Sequence, residues 1–293
     1  MRNHLHLLYI VLTAMCCLLC TPAAQAQPQD TAAAAPCAAC AARADTATAR
    51  RTVTRAQMAG VGGTDILDTY LSPEKYHGTA LTLLSQTERR REGRRWSRML
   101  EYRADVSLSR NRADNASDLE GMFGLGYGMH RHWTLCGGRL LLKAGGMADV
   151  NIGFLYNTRN GNNPAQARFA IDLAPTAAAA WLFSIRRTRC RVGYEVAVPV
   201  AGLMFSPNYG QSYYEIFSRG NYDHNIVPTT IACAPQLRHM LSLDIALRRC
   251  TLRMGYLGLV RQAEVNNLKS HTYTHSFMIG VVRTFYVGRC RGR

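Results

Sequence analysis

The segment HTYTHSFMIG carries two histidines, His271 and His275, beside Ser276. These residue types cleave acyl esters when an imidazole takes the proton of a hydroxyl. The spacing works against that chemistry. In an alternating stretch neighbours point to opposite faces, so His275 and Ser276 diverge. Asp223-His224 offers an acid and a base in the longest hydrophilic stretch, but no second acidic pair lies near it in sequence. Cys37-Ala-Ala-Cys40 has half of a zinc or redox spacing, and a metal site needs a second pair. His130 and His132 straddle one residue in what reads as a turn, which makes them rim residues rather than ligands. The sequence therefore assigns no catalytic residue, metal ligand or cofactor.

The elements around these residues are more informative. The opening MRNHLHLLYIVLTAMCCLLCTPAAQAQ has a basic start at Arg2, an apolar run from Leu7 to Cys20 and the small-residue site Ala24-Gln25-Ala26. That is the pattern of a secretory signal peptide, residues 1–26. It is too short for a membrane anchor, which needs roughly 20 apolar residues, and Leu19 is too large for a lipid-attachment box at Cys20. No other apolar run is long enough to cross a bilayer as a helix. The net charge of +16 would point to nucleic acid in a cytosolic protein, but export removes that partner. Five cysteines, Cys136, Cys190, Cys233, Cys250 and Cys290, follow the N-terminal region, an odd number that does not form a complete disulfide framework.

Residues 27–60 are rich in Ala and Thr, lack aromatics and show no steady period, and so read as a flexible tail. Beyond them one pattern recurs. In MLEYRADVSLS, Leu100, Tyr102, Ala104, Val106 and Leu108 fall on one face, while Glu101, Arg103, Asp105 and Ser107 fall on the other. RCRVGYEVAVPVAG, RHMLSLDIAL and TLRMGYLG divide the same way. Period two means strand. These strands exceed the usual length in soluble sheets, and aromatics such as Phe169, Trp181, Tyr273 and Phe285 sit near their ends, as the interfaces of a transmembrane barrel require.

The connections give an independent argument. ERRREGRRW, HRHWTLCGGR, RRTRCR and LRRCTLR are short and arginine-rich, whereas LSPEKYHG, RNRADNASD, YNTRNGNNPAQA, FSPNYGQSYYEIFSRGNYDHN and EVNNLKSH are longer and built from Asn, Gly, Ser, Pro and aromatics. The two sets alternate along the chain, the rule for short periplasmic turns and long external loops. The expectation is an all-β chain: a single antiparallel transmembrane barrel of about ten strands, within about 8 to 12, over residues 61–287. Its first strand falls near Gly62 to Leu71, and a basic tail follows at 288–293.

If the apolar face meets lipid, the other face brings Glu101, Arg103, Asp105, Glu120, Lys143, Asp149, Asp172, Arg191, Glu195, Arg238, Asp244 and Arg253 into the lumen. Both signs are present, and a barrel of this size is narrow, so these groups pair and fill the interior. In the longest loop Tyr209, Tyr213, Tyr214 and Phe217 are candidates for a plug or for contacts to a ligand, and YEIF has helical spacing. The reading is an outer-membrane barrel that is structural or binds a small solute or glycan. The alternative, from another class, is an outer-membrane hydrolase acting on lipid or peptide. A Ser, His and acidic trio converging on one rim favours the second; a salt-bridged lumen without one favours the first.

LDTYLSPEKYHG, GMADVNIGFLYNTRNGNNPAQA, MFSPNYGQSYYEIFSRGNYDHN, LRMGYLG, VNNLKSH and HSFMIGVV resemble a domain-of-unknown-function family of outer-membrane barrels from Gram-negative anaerobes of the Bacteroides type. The matching stretches run from about Leu67 to Val282. The resemblance implies an outer-membrane location, with membrane lipid and the barrel-assembly machinery as partners, and supplies no activity. One departure is the GRCRGR ending after Phe285 and Tyr286, where such barrels often end on an aromatic residue.

Overall fold

The computed structural model describes residues 51–161, 163–248 and 250–287. The signal peptide, the Cys37/Cys40 pair, most of the expected tail and the 288–293 ending lie outside them. Twelve strand segments follow in order: β1 (Arg51–Asp68), β2 (Ser72–Arg91), β3 (Trp96–Asn111), β4 (Ser117–Leu135), β5 (Leu140–Asn157), β6 (Ala165–Ile185), β7 (Thr188–Ala197), β8 (Ala201–Phe205), β9 (Ile226–Thr230), β10 (Gln236–Ala246), β11 (Thr251–Val265) and β12 (Leu268–Val287). A short α-helix, α1 (Tyr213–Phe217), lies between β8 and β9, and one 3-10 turn (Cys136–Gly138) joins β4 to β5.

The segments close into an antiparallel barrel of ten strands. β1 pairs with β12 from Arg51↔Val287 to Asp68↔Ser270, and β5 pairs with β6. Two of the ten strands are broken. Along the edge of β6 opposite β5, β7 pairs with residues 176–185 and β8 with residues 169–173. Across the break Val198 N and Val200 N donate to the Pro175 and Leu173 carbonyls at 3.2 and 2.9 Å. Pro199, which has no N–H, lies beyond the point where pairing with β10 ends at Ala197↔Arg238. β9 and β10 form the second broken strand, joined by a turn in which Cys233 N and Ala234 N donate to Thr230 O.

Burial is inverted relative to a soluble protein. Along β3 the inward Ser97, Glu101, Arg103, Asp105, Ser107 and Ser109 are buried, while Tyr102, Val106 and Leu108 are exposed. An apolar exterior around a polar interior is the pattern that a bilayer selects. Among the described residues no helix is long and apolar enough to cross a membrane.

Three expectations need correction. β1 starts at Arg51, so residues 51–60 are strand rather than tail. Alternation is faint there because Thr54, Ala56, Met58 and Gly60 face in while Arg55, Gln57 and Ala59 face out, so the contrast of polar inside and apolar outside is lost. LSPEKYHG is not a long loop: the reversal takes only residues 69–71, with Leu71 N donating to Asp68 O at 3.1 Å, and the rest is the start of β2. EVNNLKSH reduces to Asn266-Asn267, whose positive φ of 52° and 59° suit a two-residue hairpin turn. The loops that remain, at 112–116, 158–164 and 206–225, share one end of the barrel with these two turns. The arginine-rich turns and both ends of the strand series occupy the other. The first is the loop end of the barrel and the second its basic end.

Candidate functional site

The inward faces build the lumen. In GMFGLGYGMH the inward positions of β4 are Met122, Gly124, Gly126, Gly128 and His130, so around the three glycines this wall offers space and its neighbours fill it. A Cβ on Gly124 would lie 3.0 Å from both Arg103 Nη2 and Asn151 Oδ1.

Charged groups stack in three levels. Toward the loop end, Arg168 donates to Asp68 Oδ2 at 3.1 Å, to Glu120 Oε1 at 2.9 Å and to Thr272 Oγ1 at 3.0 Å. At mid-height Arg103 Nε donates to Asp105 Oδ2 at 3.2 Å and its Nη2 to Asn151 Oδ1 at 2.9 Å. Arg261 reaches the same Asp105 oxygen at 3.2 Å, and Arg238 pairs with Glu101. Asn151 Nδ2 donates to Asp172 Oδ2 at 3.4 Å, and Asp149 lines a gap of about 30 Å³ with Arg103 and Asp172. Toward the basic end Lys143 lies 3.2 Å from Glu195, while Arg253 grips Asp244 with two bonds of 2.6 and 2.8 Å and Arg191 adds a third at 3.1 Å.

All twelve residues expected in the lumen face it. Asp68, Glu88, Arg168 and Arg261, absent from that expectation, also belong to the network. Arg168 was hidden because its segment reads as the end of a loop. Arg261 was hidden because β11 turns inward with Leu257 and Leu259, both buried, which erases the contrast between faces.

Several contacts span the full bore. β1 and β6, β2 and β7, and β3 and β10 each stand five places apart in the ring of ten. Asp68–Arg168, Gln86–Glu195 at 3.5 Å and Glu101–Arg238 therefore join opposite walls. Beside them Met58, Leu84, Met240, Leu257, Leu259 and Met278 form an apolar cluster. Nearer the loop end, Ile66, Leu71, Tyr76, Ala116 and Leu155 form a second buried cluster. The spaces left are small: the cavity lined by Glu88, Lys143, Arg191, Glu195 and Arg253 holds about 70 Å³, room for a few waters.

His130 and His132 are not in a turn. Both lie on β4 and face inward, and His130 bonds Thr176 Oγ1 at 2.8 Å. His132 brings together a serine and an acid that are distant in sequence: its Nε2 lies 2.7 Å from Ser97 Oγ and 2.9 Å from Glu88 Oε1. The trio is wired unlike a nucleophile–base–acid relay, in which the acid holds the opposite ring nitrogen. Here hydroxyl and carboxylate share one nitrogen, so a proton donated to Glu88 occupies the lone pair that would activate Ser97. Ser97 is also only 2% exposed. At the other location His275 faces outward and bonds Tyr256 OH at 2.6 Å, while Ser276 is buried against Thr82.

The 206–225 loop folds on the rim. A capping box between Ser212 and Glu215 starts α1. Tyr213 OH accepts from Ala167 N at 2.7 Å, and its ring meets Tyr70, Phe205 and Phe217 at 5.9 to 6.3 Å. Tyr70 OH donates to Gln211 O at 2.9 Å. Burial, followed by the nearby Asp68 and Glu215 carboxylates, pushes the Tyr70 phenol up to about 12. Burial also raises Tyr213. Tyr209, Tyr214 and Phe217 are 74%, 63% and 64% exposed, so they do not plug the bore. Among the described residues no cluster of His, Cys, Asp or Glu could hold a metal ion.

A family model described as "Protein of unknown function (DUF3316)" matches residues 10–291. No curated protein matches the chain. Among solved structures it is similar to the transport unit of the autotransporter AIDA-I from Escherichia coli, at 6% identity over 84% of this chain and 92% of that one, with a TM-score of 0.46. It is also similar to the translocator domain of autotransporter NalP from Neisseria meningitidis (12% identity, 84% and 92% covered, TM-score 0.38) and to the outer-membrane protease OmpT from Escherichia coli (8%, 82% and 98%, 0.36).

Proposed function

We propose that this chain, which belongs to the DUF3316 family, is a filled outer-membrane barrel that serves envelope structure or small-ligand binding rather than passage through its lumen. The basic end faces the periplasm and the loop end the exterior, following the rule of short inner turns. Membrane lipid surrounds the barrel, and the assembly machinery inserts it. What supports the filled-lumen reading most directly is the set of polar contacts that join opposite walls. An ion would have to break them one after another, leaving buried charges unpaired. Ligand recognition then falls to the external loop, where the exposed rings of Tyr209, Tyr214 and Phe217 offer flat faces to a small solute or glycan.

Conductance in planar bilayers tests the reading. Purified protein gives no stable open steps; discrete, long-lived steps from the unmodified chain would overturn it.

One observation favours hydrolysis as a second reading: Ser97, His132 and Glu88 do converge at the basic end. The shared nitrogen argues for a structural contact. A fluorophosphonate probe should leave Ser97 unlabelled, and labelling that disappears in Ser97→Ala would restore the hydrolase.

A further inference from the structure

The outer face of β1–β4 at the basic end holds a groove of about 790 Å³, lined by Arg51, Arg89, Arg91, Arg94 and Arg98 together with Trp96 and apolar neighbours such as Leu100 and Met129. Strand register arranges these side chains in rows. The lowest row runs Arg51, Arg91, Trp96 and Arg131 across four strands; the next runs Val53, Arg89, Arg98 and Met129. Two steps further toward the loop end the outward residues are Gln57, Ser85, Tyr102 and Leu125, and then Ala59, Leu83, Ala104 and Phe123. The exterior of this flank thus grades from cationic to apolar along the direction of the strands.

The arginines are poorly placed for an isolated protein. Arg51 stands directly opposite Arg91, and Arg89 directly opposite Arg98. Like charges opposite each other weaken a ladder. Among the described residues none of Arg51, Arg89, Arg91, Arg94 and Arg98 has a carboxylate partner, in contrast to lumen arginines such as Arg168 and Arg253, which are ion-paired. An external anion fits between these guanidiniums, and one that carries an apolar body can lay it against the apolar rows further along the strands.

We infer that this groove is a binding site for an anionic phospholipid of the leaflet at the basic end, its phosphate held between Arg89 and Arg98 and its acyl chains laid along the outer faces of β2–β4. Guanidinium groups suit phosphate because they donate in a fork, and Trp96 sits at the headgroup level where aromatic residues anchor. The site rests on the membrane reading above and adds to it a defined lipid class and flank.

Trp96 supplies the reporter. The three tryptophans are reduced to Trp96 by Trp133→Phe and Trp181→Phe. The barrel is then refolded into phosphatidylcholine vesicles carrying an equal minor fraction of brominated phosphatidylglycerol or brominated phosphatidylcholine. Phosphatidylglycerol should associate with Trp96 on the order of tenfold more strongly, as two cations beside one anion imply. Arg89→Gln with Arg98→Gln should bring the ratio toward one while the heat-modifiable gel mobility of the folded barrel is unchanged. Equal quenching by the two lipids, or a ratio untouched by the double substitution, would overturn the site. So would the same preference at a Trp181-only reporter, since that would reflect the general charge of the basic end. Quenching by neither lipid means that the chain has not entered the bilayer, which defeats the membrane reading itself.

Discussion

Glu101 on β3 and Arg238 on β10 form an ion pair between strands that stand on opposite sides of the barrel. Both side chains are withdrawn from solvent, at 2% and 12% exposure. Burying two charges is costly unless each finds its partner and its remaining hydrogen bonds. Gln86 Nε2 supplies one of them, donating to Glu101 Oε2 at 2.9 Å. The width of the barrel is therefore matched to the reach of its internal side chains.

Removing one member of such a contact should cost far more than removing a surface pair. Arg168→Met leaves Asp68 and Glu120 buried without their shared cation and should lower unfolding stability by about 3 to 5 kcal/mol. Arg110→Met breaks the exposed pair with Asp114 and should cost less than about 1 kcal/mol. Urea unfolding of the refolded barrels in the same vesicles compares the two; equal losses would mean that the lumen is hydrated and screened.

The two faces of a single strand should answer differently to polarity. Val106, 40% exposed on the outer face of β3, becomes a charge in lipid in Val106→Arg, at about 2 to 4 kcal/mol near the membrane centre. Its neighbour Ser107 points inward and bonds Glu120 weakly, at 3.5 Å, so Ser107→Ala should cost about 1 kcal/mol or less. The same unfolding measurement checks the pair, and a harmless Val106→Arg would reverse the face assignment.

Orientation is testable by labelling. In a cysteine-free background, cysteine at the exposed Gly161 of the 158–164 loop should react with an impermeant maleimide on intact cells. Cysteine at Glu92, exposed in the β2–β3 turn, should react only after lysis. The reverse pattern would invert the topology.

The seat of α1 should respond to alkali. Because the folded Tyr70 phenol is raised to about 12, its contribution is full below about pH 10, the ordinary tyrosine value. It is lost as pH rises through about 12. Tyrosinate absorbance should show a late component near that value that is missing in Tyr70→Phe. Tyr213→Ala should undock the loop without unfolding the barrel, read as faster proteolysis at 206–225 with unchanged gel mobility. If Tyr213→Ala also destroys the folded form, the loop belongs to the barrel's core.

Strand, face and turn order were legible in the sequence wherever the two faces differ sharply. MLEYRADVSLS and RCRVGYEVAVPVAG alternate large apolar residues with charges, and their inward charges stand where period two puts them. Legibility failed where one face carries small or mixed residues. In β1 the inward Ala56 and Gly60 blur the start of the barrel, and in β11 the inward Leu257 and Leu259 conceal Arg261. Partnership was not legible at all: which cation meets which acid depends on the position of ten strands around a ring, and Asp68 and Arg168 are 100 residues apart. The Ser97–His132–Glu88 contact was missed for the same reason, being made by β2, β3 and β4 side by side.

Closure of the ring joins the first described strand to the last, with Arg51 opposite Val287 and Thr64 opposite Thr274. No contact in the barrel brings together more distant parts of the chain, and contacts of this range are formed late and slowly. Until β12 arrives, the free edge of β1 is an open row of donors and acceptors that any other strand can capture. The vulnerable period in the life of this protein is therefore its assembly. A substitution that leaves the finished barrel intact, but weakens the β1–β12 seam, should show itself as lost yield rather than lost stability.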